Sequence, residues 1–121
     1  MKNYLIGRLK SFIPAFQGIY FLLSHEKNAL IHLLATIFAI AMGLTLNIST
    51  VEWLFVGLAI TLVWVAELFN SSLEKLTDLS QPGYHPIARI TKDFAAGAVL
   101  MTTFYSIFVA AIIFLPKIFD R

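Results

Sequence analysis

Three apolar stretches, each about as long as a bilayer core is thick, decide most of what this chain can become. The first runs from about 29 to 46 and is interrupted only by His32, Thr36, Gly43 and Thr45. The second runs from about 51 to 69, with Glu52 near one end and Glu67 near the other. The third runs from about 94 to 115. Each reaches the ~20 residues that a hydrocarbon core demands of a spanning helix. Backbone groups in lipid have no water to bond, so helices rather than open strands are expected. Hydrophobic residues make up 59% of the 121, and charged residues only 13%, about half the share of a soluble domain. The expected fold class is all-α integral membrane, with residues 1–121 forming one membrane-embedded domain.

The segment before the first span has a different pattern. Tyr4, Leu5, Leu9, Phe12, Ile13, Phe16, Ile19, Tyr20 and Leu23 recur at three- and four-residue steps, with Lys2, Arg8, Lys10 and Gln17 between them. This predicts an amphipathic helix over 1–25, basic on its polar side and suited to the membrane interface. Pro14 is expected to kink or divide it. A signal peptide fits less well, since no small-residue cleavage site follows and the first span is too long for one.

Charge sets the expected orientation. The link 47–50 carries no Lys or Arg, whereas the longer link read from about 70 to 93 carries Lys75, Arg89 and Lys92. Together with Lys2, Arg8, Lys10 and Lys27 they form one basic side, against Lys117 and Arg121 on the other. Basic residues favour the cytoplasmic side, which places the N-terminus and the second link there. The net charge of +2 is too small to argue for nucleic acid, and without cysteine there is neither a disulfide framework nor a thiolate metal site.

Glu67, Asn70, Glu74 and Asp78 do not belong in an ordinary spanning helix. On an α-helix at about 100° per residue they share an arc of roughly 80°. They form one polar stripe leading from membrane depth to the surface. Carboxylates at that depth are costly and point to function. Glu67 follows fourteen uncharged residues, Trp53 to Ala66, and suits a general base. Glu74, two turns nearer water, suits a hard cation such as Mg²⁺. Asp78, at the wet end, has no assigned role.

Two further groups stand near this stripe. Glu26, Asn28 and His32 open the first span. Asn28 and His32 share a face, and a turn near 25–27 is expected to bring Glu26 in as a second metal carboxylate. Lys92 and Asp93 open the third span, where Lys92 can neutralise phosphate oxygens. The run Ala95-Ala96-Gly97-Ala98 after them allows close helix approach. Ser80-Gln81-Pro82-Gly83-Tyr84-His85-Pro86 is a turn cluster in which Gly83 permits unusual backbone angles. Neither a P-loop nor an H-E-x-x-H motif is present. Carboxylates, an Asn and a Lys converging at one membrane face suit metal-assisted phosphoryl transfer.

The run Glu67-Leu68-Phe69-Asn70-Ser71-Ser72-Leu73-Glu74 followed by Asp78, Tyr84-His85 and Lys92-Asp93 resembles the prokaryotic diacylglycerol kinase family, small three-span lipid kinases that include the undecaprenol kinases. The resemblance covers most of the chain. It implies a homotrimer with active sites shared between protomers, MgATP as phosphate donor and a membrane lipid hydroxyl as acceptor. It matches Glu67 to the general base and Glu26 and Glu74 to metal- and ATP-binding carboxylates. Asn70 matches the polar residue between them. Gly83, Tyr84, His85, Lys92 and Asp93 match nucleotide contacts. The early arginine of the family matches Arg8 with a one-residue shift. Glu26-Lys27-Asn28 with His32 looks closer to the undecaprenol-kinase branch than to the diacylglycerol branch. The competing expectation is a non-catalytic membrane protein that uses the stripe to associate helices. A proton-coupled transporter would need a polar path through the outer half, where the first and third spans offer only Thr and Ser.

Overall fold

The computed structural model describes residues 1–120 as five helices. They are α1 (Lys2–Lys10), α2 (Phe12–His25), α3 (Lys27–Thr45), α4 (Thr50–Ser80) and α5 (Pro86–Phe119). Arg121, counted above on the far side, lies outside the described residues. Helices α3, α4 and α5 are long and apolar enough to cross a membrane. The chain is a membrane protein with an N-terminal helical segment.

That segment is two helices rather than one. Pro14 has no N–H and sits in the first turn of α2, where a helix leaves its N–H groups unpaired in any case. The break at Ser11 is shallow, with φ −69° and ψ −17°. Among the described residues α1 packs only on α2. At the other end of α2, Glu26 is extended (φ −97°, ψ 122°), so the chain turns there before α3 begins. This is the turn expected at 25–27.

The α3–α4 connection is tight for reasons visible residue by residue. Asn47 adopts φ 50° just past the end of α3. The Ile48 N–H returns to the Gly43 carbonyl at 3.2 Å, which ties up an end carbonyl in the manner of a left-handed helix cap. Ser49 then caps α4. Its hydroxyl accepts from the Glu52 N–H at 3.2 Å, and its own N–H donates to Glu52 Oε2 at 2.8 Å. Lys117 on α5 lies 3.4 Å from the same carboxylate oxygen. Gly43 is buried because the Trp53 indole lies over it: a Cβ there would stand 2.5 Å from the ring.

The second connection is shorter than the sequence suggested. Only residues 81–85 are non-helical, so the stretch 70–93 is mostly helix. At 1.5 Å per residue, α4 is about 46 Å long and α5 about 51 Å. Both exceed a hydrocarbon core of about 30 Å, so their facing ends stand outside it as a helical pair. Gly83 does not use a positive φ. Pro86 takes the first position of α5, and His85 caps it, with Nδ1 accepting from the Ile87 N–H at 3.1 Å.

Helices α4 and α5 are antiparallel neighbours along their length. Glu52 meets Lys117 at one end, Ser106 donates to the Ala59 carbonyl at 3.3 Å in the middle, and Asp78 meets Lys92 at the other end. Ile48, Val56, Ala59, Val109, Ile113 and Phe114 form the core between them. Of the small-residue run, Ala95 is buried, while Ala96 and Ala98 are exposed and a Cβ on Gly97 would meet nothing within 4 Å. Only one member of that run is buried against a neighbouring helix of the chain. Many large apolar side chains remain exposed, Leu30, Leu34, Phe38, Leu54, Phe104 and Phe108 among them, as lipid-facing surfaces require.

Two substitutions test this geometry. Ser49→Ala removes the α4 cap and is expected to cost about 1 kcal/mol. Gly43→Val forces the Trp53 indole aside and is expected to cost about 1–3 kcal/mol. Thermal melting in detergent reads both, and an unchanged Tm for Gly43→Val would contradict the close α3–α4 approach.

Candidate functional site

The polar stripe lies on a single uninterrupted helix, as its spacing required. Exposure rises along it: Glu67 is buried, Asn70 and Glu74 are half-buried, and Asp78 is exposed. Helical periodicity keeps the four on one side of α4 while the helix runs out of the membrane.

Glu67 is only 4% exposed. Its Oε1 lies 2.6 Å from His32 Nε2 on α3. One turn further along α3, the Thr36 hydroxyl donates to the His32 carbonyl at 2.7 Å. Thr36 also accepts from Trp64 Nε1 at 3.0 Å. The Trp64 and His32 rings meet edge to face, with centroids 6.3 Å apart. These contacts form an antiparallel ladder that sets the register of α3 against α4. The sequence grouped His32 with Glu26 and Asn28. The structure instead gives His32 to Glu67 and leaves Asn28 exposed. The short α3–α4 turn and the antiparallel register it imposes bring 32 level with 67.

Nearer the surface, Asn70 Nδ2 donates to Glu74 Oε1 at 3.4 Å. Asn70 Oδ1 is buried and has no partner. Glu26 pairs with the residue that follows Glu74. Its Oε1 lies 3.3 Å from Lys75 Nζ, and that ammonium also sits 5.3 Å from the centre of the Phe21 ring. Glu26, Ser71, Ser72 and Lys75 line a crevice of about 250 Å³ between α2 and α4. Among the described residues, no three His, Asp or Glu side chains gather into a cluster that could hold a metal.

Lys92 forms an ion pair with Asp78. The residue left without a role therefore has one: it holds the lysine matched to phosphate contact. Asp93 is exposed, 4.0 Å from Arg89. Tyr84 is 78% exposed, and His85 spends its Nδ1 on the α5 cap. Arg8 donates to the Tyr4 hydroxyl at 3.1 Å and lies over its ring, and their helix α1 has no contact with α4. The chain thus brings Glu67, Asn70 and Glu74 together with His32. It places Lys92, Asp93, Tyr84 and His85 near the protruding helix ends, and leaves Arg8 apart.

On the membrane side, an apolar crevice of about 270 Å³ opens between α3, α4 and α5. His32 and Thr36 stand at one end of it, and Val56, Val109 and Phe114 line it further along. The site therefore has a wet approach past Glu74 and Asp78 and an apolar approach past His32. Such a boundary can present one reactant from water and another from lipid to the same carboxylate.

Comparison with known proteins gives the family. A model of the prokaryotic diacylglycerol kinase family matches residues 14–114. The undecaprenol kinase of Bacillus subtilis (strain 168) is 34% identical over 117 residues, covering 97% of this chain and 95% of that protein. A diacylglycerol kinase of Synechocystis is 32% identical over 111 residues, covering 91% of this chain and 63% of that protein. One of Helicobacter pylori (strain J99) is 34% identical over 73 residues, 60% of this chain and 57% of its own. The reading of the chain as a non-catalytic membrane protein gives way: this chain is a lipid kinase and belongs to the prokaryotic diacylglycerol kinase family.

Proposed function

We propose that the chain transfers the γ-phosphate of ATP to the hydroxyl of undecaprenol at the cytoplasmic membrane face, giving undecaprenyl phosphate. The observation that carries this reading is the buried Glu67 carboxylate, bonded to His32, which itself lines the apolar crevice. A lipid alcohol approaches from the crevice with its chain in apolar surroundings. ATP approaches from the opposite, wet side. The acceptor oxygen bonds to the γ-phosphorus, the bond from that phosphorus to the ADP oxygen breaks, and the hydroxyl proton passes to Glu67. Positioning and charge neutralisation supply most of the acceleration in such a transfer.

Undecaprenol is preferred over diacylglycerol as acceptor on two grounds. The match to the Bacillus undecaprenol kinase spans nearly the full length of both chains. Glu26-Lys27-Asn28 with His32 also looks closer to the undecaprenol-kinase branch of the family.

Glu26 and Glu74 are the residues proposed to hold Mg²⁺. Hard carboxylate oxygens fit that ion, which commonly takes one or two of them together with substrate phosphates. Bound there, the ion supplies neutralisation of phosphate charge. The orphaned Asn70 Oδ1 is an acceptor without a donor at the same place. Glu26 releases Lys75, and Lys92 releases Asp78, when each takes up its ligand. Tyr84, His85, Gly83, Asp93 and Arg8 complete the proposed nucleotide contacts. Several of these stand apart in one protomer. This supports a homotrimer in which neighbouring copies complete each site, and the basic residues of the N-terminus and of the α4–α5 region favour the cytoplasmic side of a bacterial inner membrane for both.

Labelled ATP, Mg²⁺ and purified protein in mixed micelles, with undecaprenol and diacylglycerol offered separately, test the acceptor. Undecaprenol is expected to gain label at least about tenfold faster, equivalent to ~1.4 kcal/mol of discrimination. A preference for diacylglycerol would overturn the assignment. A chelator is expected to stop transfer. Glu74→Gln and Glu26→Gln should each raise the Mg²⁺ concentration for half-maximal rate by about tenfold or more. An unchanged Mg²⁺ requirement in both would remove these carboxylates from the metal site.

A further inference from the structure

We propose that His32 is a positioning residue for the phosphoryl transfer: its imidazole holds one carboxylate oxygen of Glu67 so that the other is presented to the acceptor hydroxyl. This role rests on the lipid-kinase reading of the same site.

A glutamate carboxylate rotates almost freely about its last torsion. A base that must meet a hydroxyl at hydrogen-bond distance gains from having that rotation removed, and misplacement by about 1 Å can cost on the order of a hundredfold in rate. Here the rotation is removed by one contact. His32 Nε2 and Glu67 Oε1 are 2.6 Å apart. Among the described residues no hydrogen bond reaches Glu67 Oε2, and that oxygen is not sealed from contact. One oxygen is engaged and its twin is free.

The imidazole is itself held. The Trp64 indole packs edge-on against it, and the Trp64–Thr36 bond ties the next turn of α3 to α4. Thr36 in turn donates to the His32 carbonyl. His32 also lines the apolar crevice, so it stands between that crevice and the carboxylate. With Nε2 carrying the proton, His32 donates to Oε1 before and after the acceptor proton arrives on Oε2. No proton has to leave the pair during transfer.

The test compares His32→Ala and His32→Gln with the wild type, each also made in a Glu67→Asp background. Glutamine keeps an N–H donor of similar reach. His32→Ala is expected to lower kcat about 10- to 100-fold with KM for ATP within about twofold. His32→Gln should recover kcat to within about fivefold of wild type. Glu67→Asp withdraws the carboxylate from the imidazole, so adding His32→Ala there should cost less than about threefold. Where His32→Ala melts early, the kcat-against-KM split of His32→Gln decides. A wild-type kcat in His32→Ala, or losses that multiply in the double variant, overturns the positioning role alone. Wild-type protein that labels neither lipid overturns the kinase reading and this role with it. The pairing has a readout apart from turnover: the imidazole ¹⁵N shifts of His32 should move on Glu67→Leu, and unmoved shifts overturn the contact.

Discussion

One contact organises this molecule: the hydrogen bond between His32 and Glu67 across the α3–α4 interface. An acidic side chain at the centre of a membrane helix costs on the order of 2.5–3.5 kcal/mol, and less toward the end of a span, where Glu67 stands. His32 gives the buried Glu67 carboxyl the hydrogen-bond partner that such a position calls for. The same contact fixes which residues of α3 lie level with which residues of α4. The Trp64–Thr36 bond repeats it one turn away, and Gly43 under Trp53 repeats it near the far turn. Interhelical hydrogen bonds in membranes average about 0.6 kcal/mol, so the register depends on several such contacts together with close packing.

Helix length then converts depth into chemistry. Because α4 and α5 are longer than the membrane core, a single stripe passes from the buried Glu67 to the exposed Asp78 without a break in the helix. The deep end has His32 and, past it, an apolar crevice, and the shallow end has Lys92 paired with Asp78, with Lys75 paired to Glu26 nearby. A soluble phosphate donor and a membrane-bound acceptor differ most in the medium they come from. A rigid helix crossing the boundary is the simplest scaffold that can hold groups for both at fixed spacing. The ion pairs at the shallow end are partly exposed and individually weak, so they can open at little cost.

Much of this was legible in the sequence because membranes impose strong rules. Span number, helical character and the depth order along 67, 70, 74 and 78 followed from length and periodicity. The turn at Glu26 followed from its failure to share a face with Asn28 and His32. The link read over 70–93 was too long, because polar composition there marks departure from lipid and not departure from helix. Gly83 was credited with a conformation it does not use, while the left-handed residue is Asn47 in the other turn. The partners of single polar groups were the least legible. The His32–Glu67, Glu26–Lys75 and Lys92–Asp78 pairs join residues 35, 49 and 14 positions apart, and their meeting depends on helix register that local patterns do not encode. A reading limited to short spacings put His32 with its sequence neighbours for the same reason.

The central claim is that Glu67 takes the acceptor proton at the lipid–water boundary. Its most direct test is a single-turnover measurement on Glu67→Gln in micelles containing undecaprenol, ATP and Mg²⁺, with nucleotide binding and helix content measured on the same sample. The amide is nearly isosteric and can still bond His32, but it cannot accept a proton. The expected result is unchanged nucleotide binding and helix content, with lipid phosphate forming at least about a hundredfold more slowly. A single-turnover rate within a few-fold of wild type would contradict the account.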